Sequence, residues 1–130
     1  RIAGGEGTVE EVLMVFNRPY VEIIESYEWG YSAVRTIARM EFDANEEVHV
    51  LLSASAGGSL KRFAKVLQEL LPELSPREFK HRFNFVVNSI VQGFADYRTL
   101  HQSYVGDLSV RKLDNLADLY ARMGAAMMSA

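Results

Sequence analysis

The sequence contains no cysteine, and it has only three prolines and one tryptophan among its 130 residues. The absence of cysteine excludes disulfide bonds, thiolate catalysis and cysteine-ligated zinc, and it fits a reducing compartment such as the cytoplasm. No apolar run approaches the roughly 20 residues that a membrane-spanning helix needs. No basic, apolar and small-residue signal peptide opens the chain. We therefore expect a cytoplasmic protein that makes no use of a membrane.

The chain also lacks an excess of positive charge. It carries 14 Lys and Arg against 17 Asp and Glu, which gives a formal net charge of −3 at pH 7. A domain that grips DNA phosphates by itself is normally basic, so we do not expect direct nucleic-acid binding by this piece. The first residue is Arg1 rather than Met, which favours a piece of a longer protein. The length and composition predict that residues 1–130 form a single globular domain.

Motifs for catalysis are missing as well. The sequence has no His-Glu-x-x-His zinc helix, no phosphate-binding glycine loop and no Gly-x-Ser-x-Gly elbow. His81 and His101 have no recognisable nucleophile beside them in the sequence. We therefore expect no enzyme activity, no bound metal and no cofactor.

What the sequence does contain is apolar residues at intervals of three and four, the spacing of helices with one buried side. Capping and turn residues divide the chain into about five such helices, and no convincing pair of strands is present. The predicted fold class is therefore all-α, with about five helices in an antiparallel, bundle-like domain.

The first helix is predicted to begin near Val9, because Thr8 and Glu11 have capping-box spacing. Pro19 removes an amide donor inside the pattern and predicts a kink in the turn before it. Gly30 predicts the end of the helix. The apolar stripe of this helix is Val9, Val12, Leu13, Phe16, Tyr20, Ile23, Ile24 and Tyr27.

Two helices are predicted in the middle of the chain. The first is short, and the second is long, opening with a capping box at Asp43 and ending before Pro72. Gly57-Gly58 interrupts the long pattern, and two interpretations stay open: a loop that splits the helix, or a bend that opens a cavity. The short helix has Tyr31, Val34, Ile37, Ala38 and Phe42 on one side, and the long one has Val48, Leu52, Phe63, Val66 and Leu70.

The last two helices have faces that need a partner: the mixed face of the fourth helix predicts contact with a partner or a ligand, and the last helix predicts contact with a second chain. Ser75, Pro76 and Glu78 combine an N-cap, a proline at the first helical position and a capping glutamate. Ser109 is predicted to cap a final helix that is apolar around much of its circumference, which is typical of a helix between its own domain and a second chain. The fourth helix has the apolar stripe Phe79, Phe83, Val86, Val87, Ile90, Val91 and Phe94.

The order and spacing of several segments resemble the C-terminal half of tetracycline-repressor (TetR) family regulators. The segments are Arg18-Pro19-Tyr20, Leu60-Lys61-Arg62-Phe63, Leu71 through Glu78, and Arg82 through Asp96. The resemblance implies a bacterial transcription regulator in which this domain binds a small-molecule effector and forms a homodimer through its last two helices. Operator DNA would then be contacted only by an N-terminal helix-turn-helix domain that this sequence lacks.

Candidate ligand-binding residues are aromatic or polar side chains on the apolar helix faces, and they indicate an apolar or aromatic effector. For the aromatic residues, plain core packing is the alternative. Ser55 and Ser59 continue the stripe of the third helix and should point inward, unless each hydroxyl bonds its own helix. His49 has the alternative of an exposed imidazole, and Arg35 that of a surface ion pair. The predicted set is Phe16, Tyr20, Tyr27, Arg35, His49, Leu52, Ser55, Ser59, Phe63 and Phe85.

Candidate dimer residues lie on the mixed face of the fourth helix and on the apolar last helix. Asn88 stands where domains of the resembled family tend to carry glycine, so the register of the helix crossing is not carried over. The predicted set is Phe85, Asn88, Ser89, Gln92, Asp96, Leu116, Leu119, Tyr120, Met123 and Met127.

Two other classes of protein stay open as alternatives. Glu46 through His49 and Glu78 through His81 both spell Glu-x-x-His, the signature of ferritin-like di-metal bundles. Both glutamates are also explained as capping residues in first helical turns, where a deep metal site does not form. The second alternative is a helical adaptor that binds no ligand. The cations of residues 77–82 are interpreted as a solvated helix face rather than a phosphate site.

Overall fold

The computed structural model describes residues 7–41 and 45–130, with the side chains of residues 41 and 48–57 outside the described set. Within these ranges the protein has five α-helices, one 3₁₀ helix and no strand, which confirms the all-α prediction. No described helix combines the length and apolarity that crossing a membrane requires. The elements are α1 (Val9–Ser26), α2 (Gly30–Glu41), α3 (Glu46–Leu70), α4 (Pro76–Ala95), the 3₁₀ helix (Tyr97–Gln102) and α5 (Leu113–Ser129).

Helix α1 begins as its capping box predicts. The Thr8 hydroxyl accepts from the amide of Glu11 at 3.1 Å, and a Glu11 carboxylate oxygen accepts from the amide of Thr8 at 2.8 Å. The helix continues through Pro19, which has no amide to offer the carbonyl of Val15. The predicted kink therefore has its physical cause in place at this turn.

The predicted end of α1 at Gly30 is wrong. The helix ends at Ser26, because Tyr27 adopts an extended backbone, and Gly30 is the first residue of α2. A Cβ atom at Gly30 would lie only 1.9 Å from the carbonyl oxygen of Ile23. Glycine is therefore required here because two helix backbones meet, not because a helix stops.

The N-cap of helix α3 lies two residues later than predicted. The Asn45 side chain accepts from the amide of Glu47 at 2.8 Å, so Asn45 is the N-cap, and the predicted cap, Asp43, lies outside the described residues. The helix runs without interruption through Gly57 and Gly58. The interpretation of this pair as a loop that splits the helix is therefore wrong, since a helical interior tolerates glycine at a cost of about 1 kcal/mol per residue.

Helix α4 has the predicted start, whereas α5 does not. The Ser75 hydroxyl accepts from the amide of Glu78 at 3.1 Å, with Pro76 at the first helical position. Helix α5 begins at Leu113 without a side-chain cap. The predicted cap is wrong because Ser109 lies in the preceding loop.

Ser109 is held there by a neighbouring carboxylate. Its hydroxyl and its amide both donate to the carboxylate of Asp107, the amide at 2.9 Å. These two hydrogen bonds hold the pKa of Asp107 below its usual range. The Ser109 hydroxyl is therefore engaged four residues before α5 begins.

The core lies where α1, α4 and α5 meet, and both neighbours run antiparallel to α5. On α4, Arg82 donates to the carbonyl of Met128 at 3.0 Å, near the far end of α5. Gly93, further along α4, faces Tyr120 nearer the start of α5. Helix α2 covers α4 from the other side. This arrangement agrees with the predicted antiparallel bundle.

Candidate functional site

A groove of about 260 Å³ lies between α1 and α3. This volume is slightly below the roughly 300 to 1,000 Å³ of ordinary small-molecule pockets. The groove combines apolar walls with one hydroxyl and one guanidinium. Its lining residues are Val12 and Val15 of α1 with Ser59, Arg62, Phe63 and Val66 of α3.

Helical spacing brings these residues together. Val12 and Val15 are three positions apart and share one side of α1, and Phe63 and Val66 do the same on α3. Val12 is 1% exposed whereas Val15 is 50% exposed, so the groove runs from the core to the surface. Its wall is therefore already formed by side chains that the fold holds in place.

The polar groups of the groove belong to α3. The guanidinium of Arg62 donates to the hydroxyl of Ser59 across 3.5 Å, a long and weak hydrogen bond. Ser59 is exposed, so the prediction that it points inward is wrong. Ser59 therefore stands at the exposed rim of the groove, next to the guanidinium of Arg62.

A continuous row of aromatic rings begins at the groove. Phe63 meets Phe16 edge-on at 5.3 Å between centroids, and Phe16 lies 5.6 Å from Tyr20. Tyr20 stacks on Phe94 at 5.5 Å, and Phe94 meets Tyr120 edge-on at 5.1 Å. We call these five residues the aromatic row. It connects α3, α1, α4 and α5 through the core.

The row ends beside an outward-facing surface of the last two helices, which we call the α4–α5 face. Large apolar side chains stand on it in contact with solvent: Phe85 is 62% exposed, Met123 52% and Leu119 38%. Large apolar side chains exposed on a folded domain make this face a candidate for contact with another molecule. The partly buried residues beside them are Asn88, Gln92, Asp96, Tyr120 and Met127, and Ser89 is exposed.

Tyr120 is positioned tightly at the edge of this face. A Cβ atom at Gly93 would lie 2.6 Å from the phenol ring, so the absence of a side chain on α4 makes room for Tyr120. Burial, and then the nearby charge of Asp96, raise the pKa of Tyr120 to about 12. The phenol therefore stays protonated in the folded protein to a higher pH than an ordinary tyrosine does.

Several predicted ligand-binding residues lie away from the groove. Tyr27 is exposed at the α1–α2 turn and stacks on Trp29 at 4.5 Å, because its extended backbone turns it out of the α1 stripe. Phe85 stands on the α4–α5 face. Phe16 and Tyr20 pack in the interior, behind the groove rather than on its wall.

Arg35 serves to join two helices. It donates to the carbonyl of Ala95 at 3.2 Å and to the hydroxyl of Tyr31 at 3.3 Å, and Tyr31 also donates to Ala95 at 2.6 Å. The Tyr31 contact, with the charge of Asp96, raises the pKa of Arg35. In the described part of the chain, Arg35 does not form the surface ion pair of its alternative interpretation. Its hydrogen-bond partners are the Ala95 carbonyl at the end of α4 and the Tyr31 phenol of α2.

Of the remaining predicted residues, Phe63 and Ser59 line the groove, and the side chains of His49, Leu52 and Ser55 lie outside the described set. Leu116 is 4% exposed and belongs to the core, so we leave it out of the α4–α5 face. Sequence reasoning missed the other groove residues because it placed them in core stripes or passed over them. The groove residues that it missed are Val12, Val15, Arg62 and Val66.

A larger cleft of about 840 Å³ opens between the end of α3 and the start of α4. The side chains of Arg77, Lys80 and His81 on its lining are exposed, in agreement with a solvated helix face. Glu78 is paired with Arg82 at 2.9 Å on the surface. The second Glu-x-x-His motif therefore faces solvent, and residues 7–41 and 45–130 contain no cluster of three metal-ligating side chains among those described.

Comparison with known proteins agrees with this architecture. Residues 14–127 match the family model described as "Tetracyclin repressor-like, C-terminal domain". No curated protein and no solved structure shows significant similarity to the chain. The family match begins within α1 and ends within α5, so it includes residues of all five α-helices, and it confirms the resemblance that the sequence segments indicate.

Proposed function

We propose where the effector and the second copy bind on this chain, which belongs to the tetracyclin repressor-like C-terminal domain family. Membership of this family makes the chain a regulatory domain of the effector-binding and dimerisation type. The α1–α3 groove is the effector site, and the α4–α5 face is the surface on which two copies meet. Residues 1–130 act as one sensing and dimerising domain of a bacterial, cytoplasmic regulator.

The observation that carries this proposal is the aromatic row. Its first ring, Phe63, lines the groove, and its last ring, Tyr120, lies at the edge of the α4–α5 face. Rigid rings in contact resist compression, because protein interiors are close-packed. A ligand that displaces Phe63 therefore has a direct mechanical route to the surface where the second copy docks.

The regulatory mechanism follows from the energetics of linked equilibria. A ligand shifts the balance between two helix arrangements only by the difference in its affinity for them. Helix α1 is the natural moving part, since it lines the groove with Val15 and has a carbonyl freed by Pro19 at the same turn. Movement of α1 would then change the relative placement of the two protomers.

DNA contact is assigned to a separate helix-turn-helix unit. In helix-turn-helix dimers the two reading heads lie about 34 to 36 Å apart to reach successive major grooves. The net charge of −3 on this chain is unsuited to phosphate contact. The domain described here would set the spacing of the heads, and the effector would control that spacing.

The proposal is tested by a small-molecule thermal-shift screen on the wild-type protein and on a variant with a filled groove. Val15→Trp places an indole in the groove from a position that is already half exposed, so the fold should tolerate it. Val105→Trp, in the exposed loop before α5, is the matched control. A ligand that binds only the folded state raises the melting temperature.

We expect apolar or aromatic compounds to raise the melting temperature of the wild type and of Val105→Trp, and to lose this effect on Val15→Trp. Compounds that stabilise all three proteins equally would place the effector site elsewhere. A complete absence of stabilising compounds would favour a ligand-free adaptor.

A further inference from the structure

The rim of the α1–α3 groove carries a positive charge without an acidic partner. Arg62 lines the groove, and its hydrogen bond in the described structure is the long contact to the Ser59 hydroxyl. The ion pairs found among the described residues lie within α4 and within α5. In that part of the chain, no carboxylate neutralises the guanidinium of Arg62.

The surroundings of Arg62 on α3 reinforce the positive field. Lys61 and Lys65 stand beside it within two helical turns, and the sequence has no acidic residue between Gly58 and Gln68. Both lysines are exposed. Charges of one sign around a partly apolar groove raise the local concentration of ligands of the opposite sign.

Among the described residues, no carboxylate of the facing helix forms an ion pair with Arg62. The acidic residue one turn before Val15 on α1 is Glu11, whose carboxylate accepts from the amide of Thr8 at 2.8 Å. It is therefore engaged at the start of α1. The groove thus presents an apolar wall and an unneutralised guanidinium to the same bound molecule.

We propose that the ligand of this groove is a small anionic amphiphile. Its apolar body packs on the valines and Phe63, and its carboxylate accepts hydrogen bonds from the guanidinium of Arg62 and the hydroxyl of Ser59. A groove of about 260 Å³, slightly below the range of ordinary small-molecule pockets, suits a small ligand. This inference rests on the proposed function, which assigns the groove as the effector site.

The test uses three probes with the same eight-carbon chain and different head groups: octanoate, 1-octanol and octyltrimethylammonium. Their dissociation constants are measured by calorimetry at pH 7.5 on the wild type, Arg62→Gln, Lys61→Gln and Val15→Trp. Arg62→Gln removes the proposed anion partner. Lys61→Gln makes the same change of charge on the neighbouring residue of α3, which does not line the groove, and Val15→Trp fills the groove.

The proposal predicts that octanoate binds the wild type most tightly. Arg62 is exposed, so Arg62→Gln should raise the octanoate dissociation constant by no more than about fivefold and by more than about twofold, and should leave 1-octanol unchanged. Lys61→Gln should change the octanoate constant by less than about twofold. This pattern would assign the charge recognition to Arg62 itself.

The contrary outcomes separate the two claims. If 1-octanol or the ammonium compound binds as tightly as octanoate, the ligand class is wrong while the groove remains the effector site. If both charge variants weaken octanoate equally, the general positive field of α3 recognises the anion, and the assignment of this recognition to Arg62 is wrong. If Val15→Trp binds the probes as tightly as the wild type, the groove assignment fails, and the inference fails with it. If no probe binds the wild type, the ligand class is wrong, and the thermal-shift comparison of the wild type with Val15→Trp decides the groove assignment separately.

Discussion

At the scale of single residues, the most unusual group is the amide of Asn17. It is fully buried in α1, and its nitrogen donates to the carbonyl of Ala117 in α5 at 2.8 Å. Its side-chain oxygen has no hydrogen-bond partner. The sequence did contain a signal, because Asn17 stands one turn after Leu13 on the apolar side of α1, but the α5 partner cannot be read from a residue 100 positions away.

Replacement of Asn17 tests how much this amide matters. Asn17→Asp should lower the free energy of unfolding by about 3 kcal/mol at pH 7, because a buried carboxylate would face the Ala117 carbonyl. Asn17→Leu should change it by less than about 1 kcal/mol, since the unsatisfied oxygen disappears and the Ala117 carbonyl keeps its place in α5. Urea denaturation measures both. An equal loss in the two variants would contradict this account.

Tyr120 predicts a dependence of stability on alkaline pH. Its pKa is raised to about 12 in the folded protein from a reference value of 10, so the unfolded chain loses this proton first. The stabilisation is fully present below pH 10 and is lost as the pH rises through 12. After allowance for the partial exposure of the phenol, the loss should be about 1 to 2 kcal/mol.

The matched variant for this effect is Tyr120→Phe, which keeps the ring and removes the titrating group. The free energy of unfolding, measured from denaturation curves at several pH values between 9 and 12, should fall more steeply with pH for the wild type than for Tyr120→Phe. If the free energy of unfolding falls equally with pH in the two proteins, the phenol remains accessible to solvent in the folded state.

At the scale of helices, local chemistry decided what could be predicted. The starts of α1 and α4 follow from Thr8 and Ser75, because a cap and its amide are only three residues apart. The roles of Gly30 and Ser109 were predicted wrongly, because each is determined by a contact outside its own helix pattern. The bend predicted at Pro19 stays a prediction.

Two glycines on different helices give opposite predictions for the same substitution. Gly30→Ala should lower the free energy of unfolding by about 2 kcal/mol or more, because its Cβ would overlap the backbone of Ile23. Gly58→Ala should raise it by about 0.5 to 1 kcal/mol, since a Cβ there meets no atom within 4 Å and alanine favours the helix. Chemical denaturation of both variants measures the difference. A destabilised Gly58→Ala protein would indicate that α3 is bent at this position.

At the scale of the whole molecule, the fold class and the family were within reach of the sequence, whereas the groove was not. Helical periodicity, and the order of the segments around Leu71–Glu78, can be read from the sequence alone. The groove depends on how α1 and α3 cross, and residues such as Val15 and Arg62 reveal nothing of this in one dimension. The α4–α5 face could be predicted in part. The sequence showed that the last helix is apolar around much of its circumference, but the exposure of Met123 and Leu119 is known only from the structure.

The central claim is that this domain dimerises through the α4–α5 face, and a mass measurement in solution tests it most directly. Sedimentation equilibrium at micromolar concentration should give twice the chain mass of 14.7 kDa for the wild type. Met123→Glu should give the monomer mass with unchanged helical content, because a carboxylate would be buried at the contact. Trp29→Glu, at the exposed α1–α2 turn, should remain dimeric. A monomeric wild type, or a Met123→Glu protein that stays dimeric, would contradict the account.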